Sequence, residues 1–159
     1  MVNLFRTIEF LGLSVWLGSD IFLSFVVAPG TFRVLAPNRD QAGAVVGFAL
    51  TKMHVIGMVC GVAILLVRLL RTRTLHSLVA PSAICVVLMI ALTMISQLTV
   101  TPKMAALRMQ MGSIQTTTLD SPLLAEFAKL HQISVSLESG VLLAGLTCLF
   151  LMVRELANR

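Results

Sequence analysis

Four long apolar runs determine what this chain can fold into. They cover residues 7–28, 53–70, 77–98 and 131–153. An α-helix needs about 20 predominantly apolar residues to cross the roughly 30 Å hydrocarbon layer of a bilayer. The sequence therefore predicts an all-α fold, a four-helix transmembrane bundle that forms a single integral membrane domain in the lipid bilayer over residues 1–159.

Composition supports the same class of protein. Hydrophobic residues make up 57% of the chain and charged residues only 12%, whereas about a quarter of the residues of a soluble domain are charged. The net charge of +5 does not indicate binding to nucleic acid, because the basic residues lie in short clusters at the ends of the apolar runs, as they do in membrane proteins. The sequence carries no motif that supports an enzyme.

The basic residues also predict an orientation. Arg68, Arg71 and Arg73 crowd the shortest connection between spans, and Arg154 and Arg159 lie at the C-terminus. Lys and Arg are enriched in the cytoplasmic loops of membrane proteins. We therefore expect both termini in the cytoplasm, and the inner (plasma) membrane as the location if the chain is bacterial.

Prolines and capping residues predict where the helices begin and end. Pro29-Gly30 should end the first span and Thr101-Pro102-Lys103 the third, since proline interrupts the hydrogen bonds of a helix. Asn38 or Asp40 can cap the second helix. Pro122 is expected in the first turn of the last helix.

The two halves of the chain resemble each other weakly. An apolar span ends in Val27-Ala28-Pro29 in one half and in Val100-Thr101-Pro102 in the other, an offset of 73 residues. Farther on, Phe48-x5-His54 matches Phe127-x3-His131, with an offset of 77 residues between the histidines. The pattern favours two similar helical hairpins in a parallel repeat, related by an axis along the membrane normal. Chance similarity between apolar segments explains it equally well.

Polar side chains inside the apolar runs indicate a site within the membrane. Glu138 lies in the last span, where His131 and Ser134 share its helical face through the i, i+3, i+7 spacing. Asp20 lies in the first span, one turn after Trp16. An intramembrane acid costs roughly 2.5–3.5 kcal/mol and usually marks function. We therefore expect these residues to bind an ion or small solute. Alternatively, both acids form internal hydrogen bonds that hold the helices together.

Two histidines complete the candidate site. His54 in the second span is expected to lie with His131 and Ser134 nearer the outer mouth. The histidines could relay protons, gate the pathway or bind a metal. Interfacial hydrogen bonding is the more common role where each helix carries one histidine.

Two further patterns predict contacts between helices. Gly43–Gly47 and Gly57–Gly61 match the GxxxG spacing, which lets helices pack closely within one chain or in a homo-oligomer. Glu9 is expected to form a structural ion pair with Arg6 or with an arginine of residues 68–73.

Short motifs spread over nearly the whole chain carry a family resemblance. They are Trp16-Leu17-Gly18 with Phe22, Pro29 and Phe32, then Pro102-Lys103-Met104 with Arg108, then Phe127-Ala128-x-Leu130-His131-x2-Ser134. Together they resemble the transmembrane-protein-205-like family of small four-span proteins. More distantly, Trp-Leu-Gly and Leu-His-x2-Ser resemble the superfamily of copper-resistance protein D and the membrane protoporphyrinogen oxidases. The first span carries Glu9 and Leu11 where those relatives often have histidine.

Three functions follow from these features. The first is a small channel or transporter for an ion, metal or small solute, which needs no cofactor. The second, implied by the superfamily resemblance, is a redox or metal-handling protein that holds haem or copper through His54 and His131. The third is a non-catalytic membrane scaffold.

Overall fold

A computed structural model describes residues 2–157 of the chain. Arg159, on which the predicted orientation partly rests, lies outside the described residues. The secondary structure of the described part is helical, without strands, and consists of α1 (Val2–Phe22), a π-helical turn (Leu23–Val27), α2 (Ala28–Val34), α3 (Arg39–Thr72), a 3-10 turn (Leu75–Val79), α4 (Pro81–Ile95), a second π-helical turn (Ser96–Val100), α5 (Thr101–Met111) and α6 (Pro122–Ala157).

Each π-helical turn joins two helices into one continuous rod, so residues 2–157 form four long helices. All four are long and apolar enough to cross a membrane. Large apolar side chains such as Leu11, Phe25 and Leu143 face outward, whereas Asp20 and His54 are buried in the interior. An apolar exterior around a partly polar interior is the arrangement that lipid requires. The predicted all-α four-helix bundle is confirmed, and the chain is an integral membrane protein.

The four rods form two hairpins. α1 packs mainly against α3, and α4 packs mainly against α6, while contacts between the pairs are fewer. We call residues 2–72 the first hairpin and residues 81–157 the second hairpin. We call the end of the bundle that holds Glu9, Arg71 and Glu155 the termini end, and the opposite end the distal end.

Two of the predicted helix starts are confirmed. Asn38 caps α3, because its side chain accepts a hydrogen bond from the Gln41 backbone N–H at 3.1 Å, and α6 begins at Pro122.

The two prolines expected to end the odd-numbered spans do not end them. Pro29 and Pro102 each lie in the first turn of a helix that directly continues the preceding π-helical turn. A π-helical turn changes the hydrogen-bonding register, and this local adjustment allows a helix inside a membrane to continue past a proline. The prediction that these prolines end the helices is therefore wrong.

The π-helical turns reveal how closely the odd-numbered rods correspond. The turns begin at Leu23 and Ser96, the same 73-residue offset that separates the two prolines. Five pairs of buried positions coincide at this offset, and they are Glu9 with Ser82, Leu13 with Val86, Trp16 with Met89, Asp20 with Thr93 and Leu23 with Ser96. The shared burial pattern supports the parallel repeat of two hairpins.

The even-numbered helices correspond at a different offset from the one expected. Four pairs of buried positions coincide at an offset of 84 residues, and they are Gly57 with Val141, Gly61 with Gly145, Ile64 with Cys148 and Arg68 with Met152. At this offset His54 corresponds to Glu138. The match of His54 with His131 is wrong, because His54 is fully buried whereas His131 is exposed.

The second GxxxG motif packs inside the chain. A Cβ atom at Gly57 would lie 2.3 Å from Trp16 Nε1, and one at Gly61 would lie 2.6 Å from Trp16 Cζ3. The indole ring therefore lies against the backbone of α3 and occupies this face. The Gly57–Gly61 face is closed to a second copy of the chain, which removes one of the two faces proposed for a homo-oligomer.

Candidate functional site

His54 is the centre of a buried polar network in the bundle. Its ring Nδ1 lies 2.9 Å from Gln97 Oε1, and its ring Nε2 lies 2.7 Å from Glu138 Oε1. His54 is fully buried. Both ring nitrogens are therefore bonded to side chains of the second hairpin, and the imidazole joins the two halves of the molecule.

The position of each residue in its helix explains why His54, Gln97 and Glu138 come into contact. His54 shares the buried face of α3 with Gly57 and Gly61, and these glycines bring α3 close to its neighbours. Gln97 lies in the π-helical turn before α5, where the altered register changes the direction of successive side chains. Glu138 lies on α6 between the buried residues Ser134 and Val141, so that it faces the interior.

Glu138 has a second bond and one unpartnered oxygen. The Ser96 hydroxyl donates to Glu138 Oε1 at 3.2 Å. Glu138 Oε2 is buried and has no hydrogen-bond partner among residues 2–157. One oxygen of this carboxyl therefore serves two partners, while the other is available to a further donor.

Asp20 brings a second carboxyl from the opposite hairpin. Its side chain is 1% exposed, and the Ser24 hydroxyl donates to Oδ1 at 3.3 Å. Oδ2 is buried without a partner in the described part of the chain. Asp20 interacts electrostatically with both His54 and Glu138. We call Asp20, His54, Ser96, Gln97 and Glu138 the central cluster.

Trp16 lies one turn from Asp20 and fills the space between α1 and α3. The residue is fully buried, and its indole Nε1 has no hydrogen-bond partner within residues 2–157. Thr93, the counterpart of Asp20 in the second hairpin, is also buried with an unpartnered hydroxyl in the described chain. The interior around the central cluster thus offers donors as well as acceptors.

The predicted site residues divide into two groups. In the first, His54 bonds directly to Glu138, and Asp20 is near enough to both for their charges to interact. Trp16, one turn from Asp20, and Ser134, one turn before Glu138, are buried as well. His131 is exposed. No residue of α6 before Ser134 is fully buried, because the distal third of this helix is not surrounded by the bundle. The helical spacing therefore predicts the correct face, but that face is open to the surroundings at the level of His131.

Gln97 and Ser96 are the members of the central cluster that sequence reasoning did not assign to the site. Both occur near the end of the third apolar run, five and six residues before Pro102. Ser96 continues the helical stripe of Met89 and Thr93. A polar residue on such a buried helical stripe, shortly before a proline, is the sequence signal that could have assigned Ser96 to the site.

A second polar cluster lies at the termini end. Arg71 donates to Glu9 through Nε at 3.0 Å and through Nη2 at 3.3 Å, which confirms the predicted ion pair of Glu9. Arg68 donates to Ser82 Oγ at 2.6 Å and to Glu155 Oε2 at 2.7 Å. Arg68 is buried, and the partly exposed Glu155 balances its charge.

The donor set does not fit the haem or copper site implied by the superfamily resemblance. Of the two proposed ligands, His131 is exposed and His54 uses both ring nitrogens for hydrogen bonds. A histidine that ligates a metal needs one of these nitrogens free for the metal. Among residues 2–157, no group of three or more His, Cys, Asp or Glu side chains is arranged to hold a metal ion.

Comparison with known proteins gives one finding. Neither a curated protein nor a solved structure matches the chain. The model of one protein family, described as a domain of unknown function (DUF4149), matches residues 11–113. The matched part runs from α1 to the end of α5 and includes Asp20, His54 and Gln97, whereas Glu138 lies outside it. Because the match covers more than half of the sequence, the chain belongs to the DUF4149 family.

Proposed function

We propose that the protein carries a small cation across the membrane, with the central cluster as the binding site on the path. The observation that supports this proposal is the pair of buried carboxyls, Asp20 and Glu138, each with an oxygen that has no partner in the described chain. Carboxylates inside a membrane bundle are expensive and commonly line ion pathways. Their oxygen atoms can replace part of the hydration shell of a cation.

The two carboxyls come from different hairpins, and this arrangement favours a transporter over a simple structural bond. Asp20 belongs to α1 and Glu138 to α6, and His54 of α3 bonds directly to Glu138. A relative movement of the two hairpins would change the distances within the cluster. Sites between structural repeats near the middle of the membrane are typical of transporters.

Flux through the purified protein in lipid vesicles tests this proposal. We expect a cation flux in the wild type that falls to the level of empty vesicles in Asp20→Asn and in Glu138→Gln, because each substitution removes one buried negative charge from the path.

Two exposed carboxylates provide matched controls, Asp120→Asn for the first variant and Glu126→Gln for the second. Both controls should retain the flux of the wild type. Wild-type flux in Asp20→Asn and Glu138→Gln would assign the acids to internal hydrogen bonding. No flux in the wild type, with all variants folded, would favour the scaffold.

A further inference from the structure

The central cluster contains more acidic groups than basic ones. It holds the carboxyls of Asp20 and Glu138 and the imidazole of His54, and it includes neither lysine nor arginine. Lys52, the nearest basic residue along α3, is exposed and lies over the Phe48 ring at 5.4 Å. Thr93, Ser96 and Gln97, which the α4 side contributes, are uncharged. Within residues 2–157, the titratable groups that act on His54 from the helices packed against it are therefore Asp20 of α1 and Glu138 of α6.

This composition leaves uncompensated negative charge unless the cluster takes up a proton or another cation. With both carboxyls ionised, even a fully protonated His54 leaves one negative charge in the interior. An ionised carboxylate without a partner costs several kcal/mol in a protein interior, and such a group commonly takes up a proton. Charge balance alone therefore calls for a bound cation.

The geometry around His54 indicates that this cation is a proton. Gln97 Oε1 can only accept a hydrogen bond, so Nδ1 of His54 carries a hydrogen and donates it. The 2.7 Å contact between His54 Nε2 and Glu138 Oε1 then requires one hydrogen between the two atoms. Either the imidazolium donates to an ionised carboxylate, or the carboxylic acid donates to a neutral imidazole. A larger cation has no place between atoms at this separation.

We propose that the cation carried by the central cluster is the proton, and this inference rests on the proposed function. In the elementary step, the N–H bond at His54 Nε2 breaks as an O–H bond forms at Glu138 Oε1, which leaves a neutral imidazole and a carboxylic acid. The unpartnered oxygens, Glu138 Oε2 and Asp20 Oδ2, are the further acceptors. A proton that passes from Glu138 to Asp20 moves from the second hairpin to the first, and water supplies and removes it at the two membrane faces.

Two measurements on the full-length protein test the inference. The first is flux into vesicles under a pH gradient, with protons, Na⁺ or K⁺ in turn as the permeant cation. The second is infrared difference spectroscopy between acid and neutral pH, which detects the C=O stretch of a protonated carboxyl. We expect proton flux without Na⁺ or K⁺, and a titrating carboxyl band that is reduced in Glu138→Gln and in Asp20→Asn but retained in Glu126→Gln.

The outcomes separate this inference from the proposed function. Flux of Na⁺ or K⁺ without proton movement would overturn the proton as cargo and leave cation transport standing. No flux of any cation would overturn the proposed function. A carboxyl band that is unchanged in both Glu138→Gln and Asp20→Asn would overturn the assignment of the proton to these residues, whatever the flux. Each variant is first compared with the wild type by circular dichroism to confirm that it folds.

Discussion

At the scale of single residues, the unusual positions are those where a polar or very small side chain is buried among helices. Asp20 and Glu138 could be predicted to lie in the interior because an acid that faces lipid is costly. Gln97 could not be predicted as the partner of His54, because Pro102 marks this part of the rod in the sequence but does not show the side-chain direction that the π-helical turn produces. The close approach of Gly57 to Trp16 is a second such detail, and it has a measurable consequence.

Gly57→Ala should destabilise the protein. A Cβ atom would lie 2.3 Å from Nε1 of the fully buried Trp16, and such overpacking typically costs about 1–3 kcal/mol. Gly47→Ala on the same helix is the matched control, because a Cβ atom there meets nothing within 4 Å. We expect the control to have unchanged or slightly raised stability. Denaturant unfolding of the two variants in mixed micelles measures the difference, and equal stability would contradict the packing of Trp16 on α3.

At the scale of helices, α3 connects the two hairpins at three levels. At the distal end, Asp40 accepts from the Ser113 hydroxyl and from the Ile114 backbone N–H. At the centre His54 bonds to Gln97 and Glu138, and at the termini end Arg68 bonds to Ser82 and Glu155. The three α3 residues, Asp40, His54 and Arg68, are 14 positions apart, or roughly 21 Å along a helix.

These three levels account for most of the polar bonding between the hairpins in the described chain, and elsewhere the hairpins pack through apolar contacts. A transporter that opens alternately to either side of the membrane needs contacts at both ends of the bundle that break in turn. The bonds of Asp40 at the distal end and of Arg68 at the termini end lie where such contacts are needed. The sequence could indicate the charged residues, but which of them pair depends on the packing of distant helices. Glu155 was not singled out, although it balances the buried Arg68.

Glu155→Gln should weaken the termini-end connection. The substitution leaves the buried Arg68 without its counter-charge, and we expect a loss of about 1–3 kcal/mol, less than for a fully buried pair because the Glu155 side chain is 34% exposed. In a double-mutant cycle with Arg68→Met, the combined loss should be smaller than the sum of the single losses. Arg154→Gln, at an exposed neighbouring position, is the control. Additive losses would contradict the pairing.

At the scale of the whole molecule, the architecture could be predicted and the internal register could not. Apolar run length is sufficient to predict four spans, and the Pro29 and Pro102 motifs carry the repeat of the odd-numbered rods. Sequence comparison matches the even-numbered helices through His54 and His131, because these two residues are identical. The buried positions instead match His54 with Glu138. Chemically different residues at corresponding positions are invisible to sequence comparison, yet here they bond directly.

The two hairpins have similar architecture, but at the centre of the bundle they carry different residues, His54 and Glu138, at corresponding positions. A base from the first hairpin meets an acid from the second, and Asp20 adds a further acid from the first hairpin. The pair can hold one proton between two hairpins of similar architecture. The proposed transport of protons depends on this shared proton.

Nitrogen-15 NMR of the histidine-labelled protein in lipid bilayers tests the shared proton most directly. The chain has three histidines, and the exposed His76 and His131 serve as internal references for solvent-accessible rings. We predict that the chemical shifts of the His54 ring nitrogens differ from those of both references and that Nδ1 is protonated. The chemical shift of Nε2 should change in Glu138→Gln but not in Glu126→Gln. His54 ring signals that match those of the two references and do not change in Glu138→Gln would contradict the central cluster.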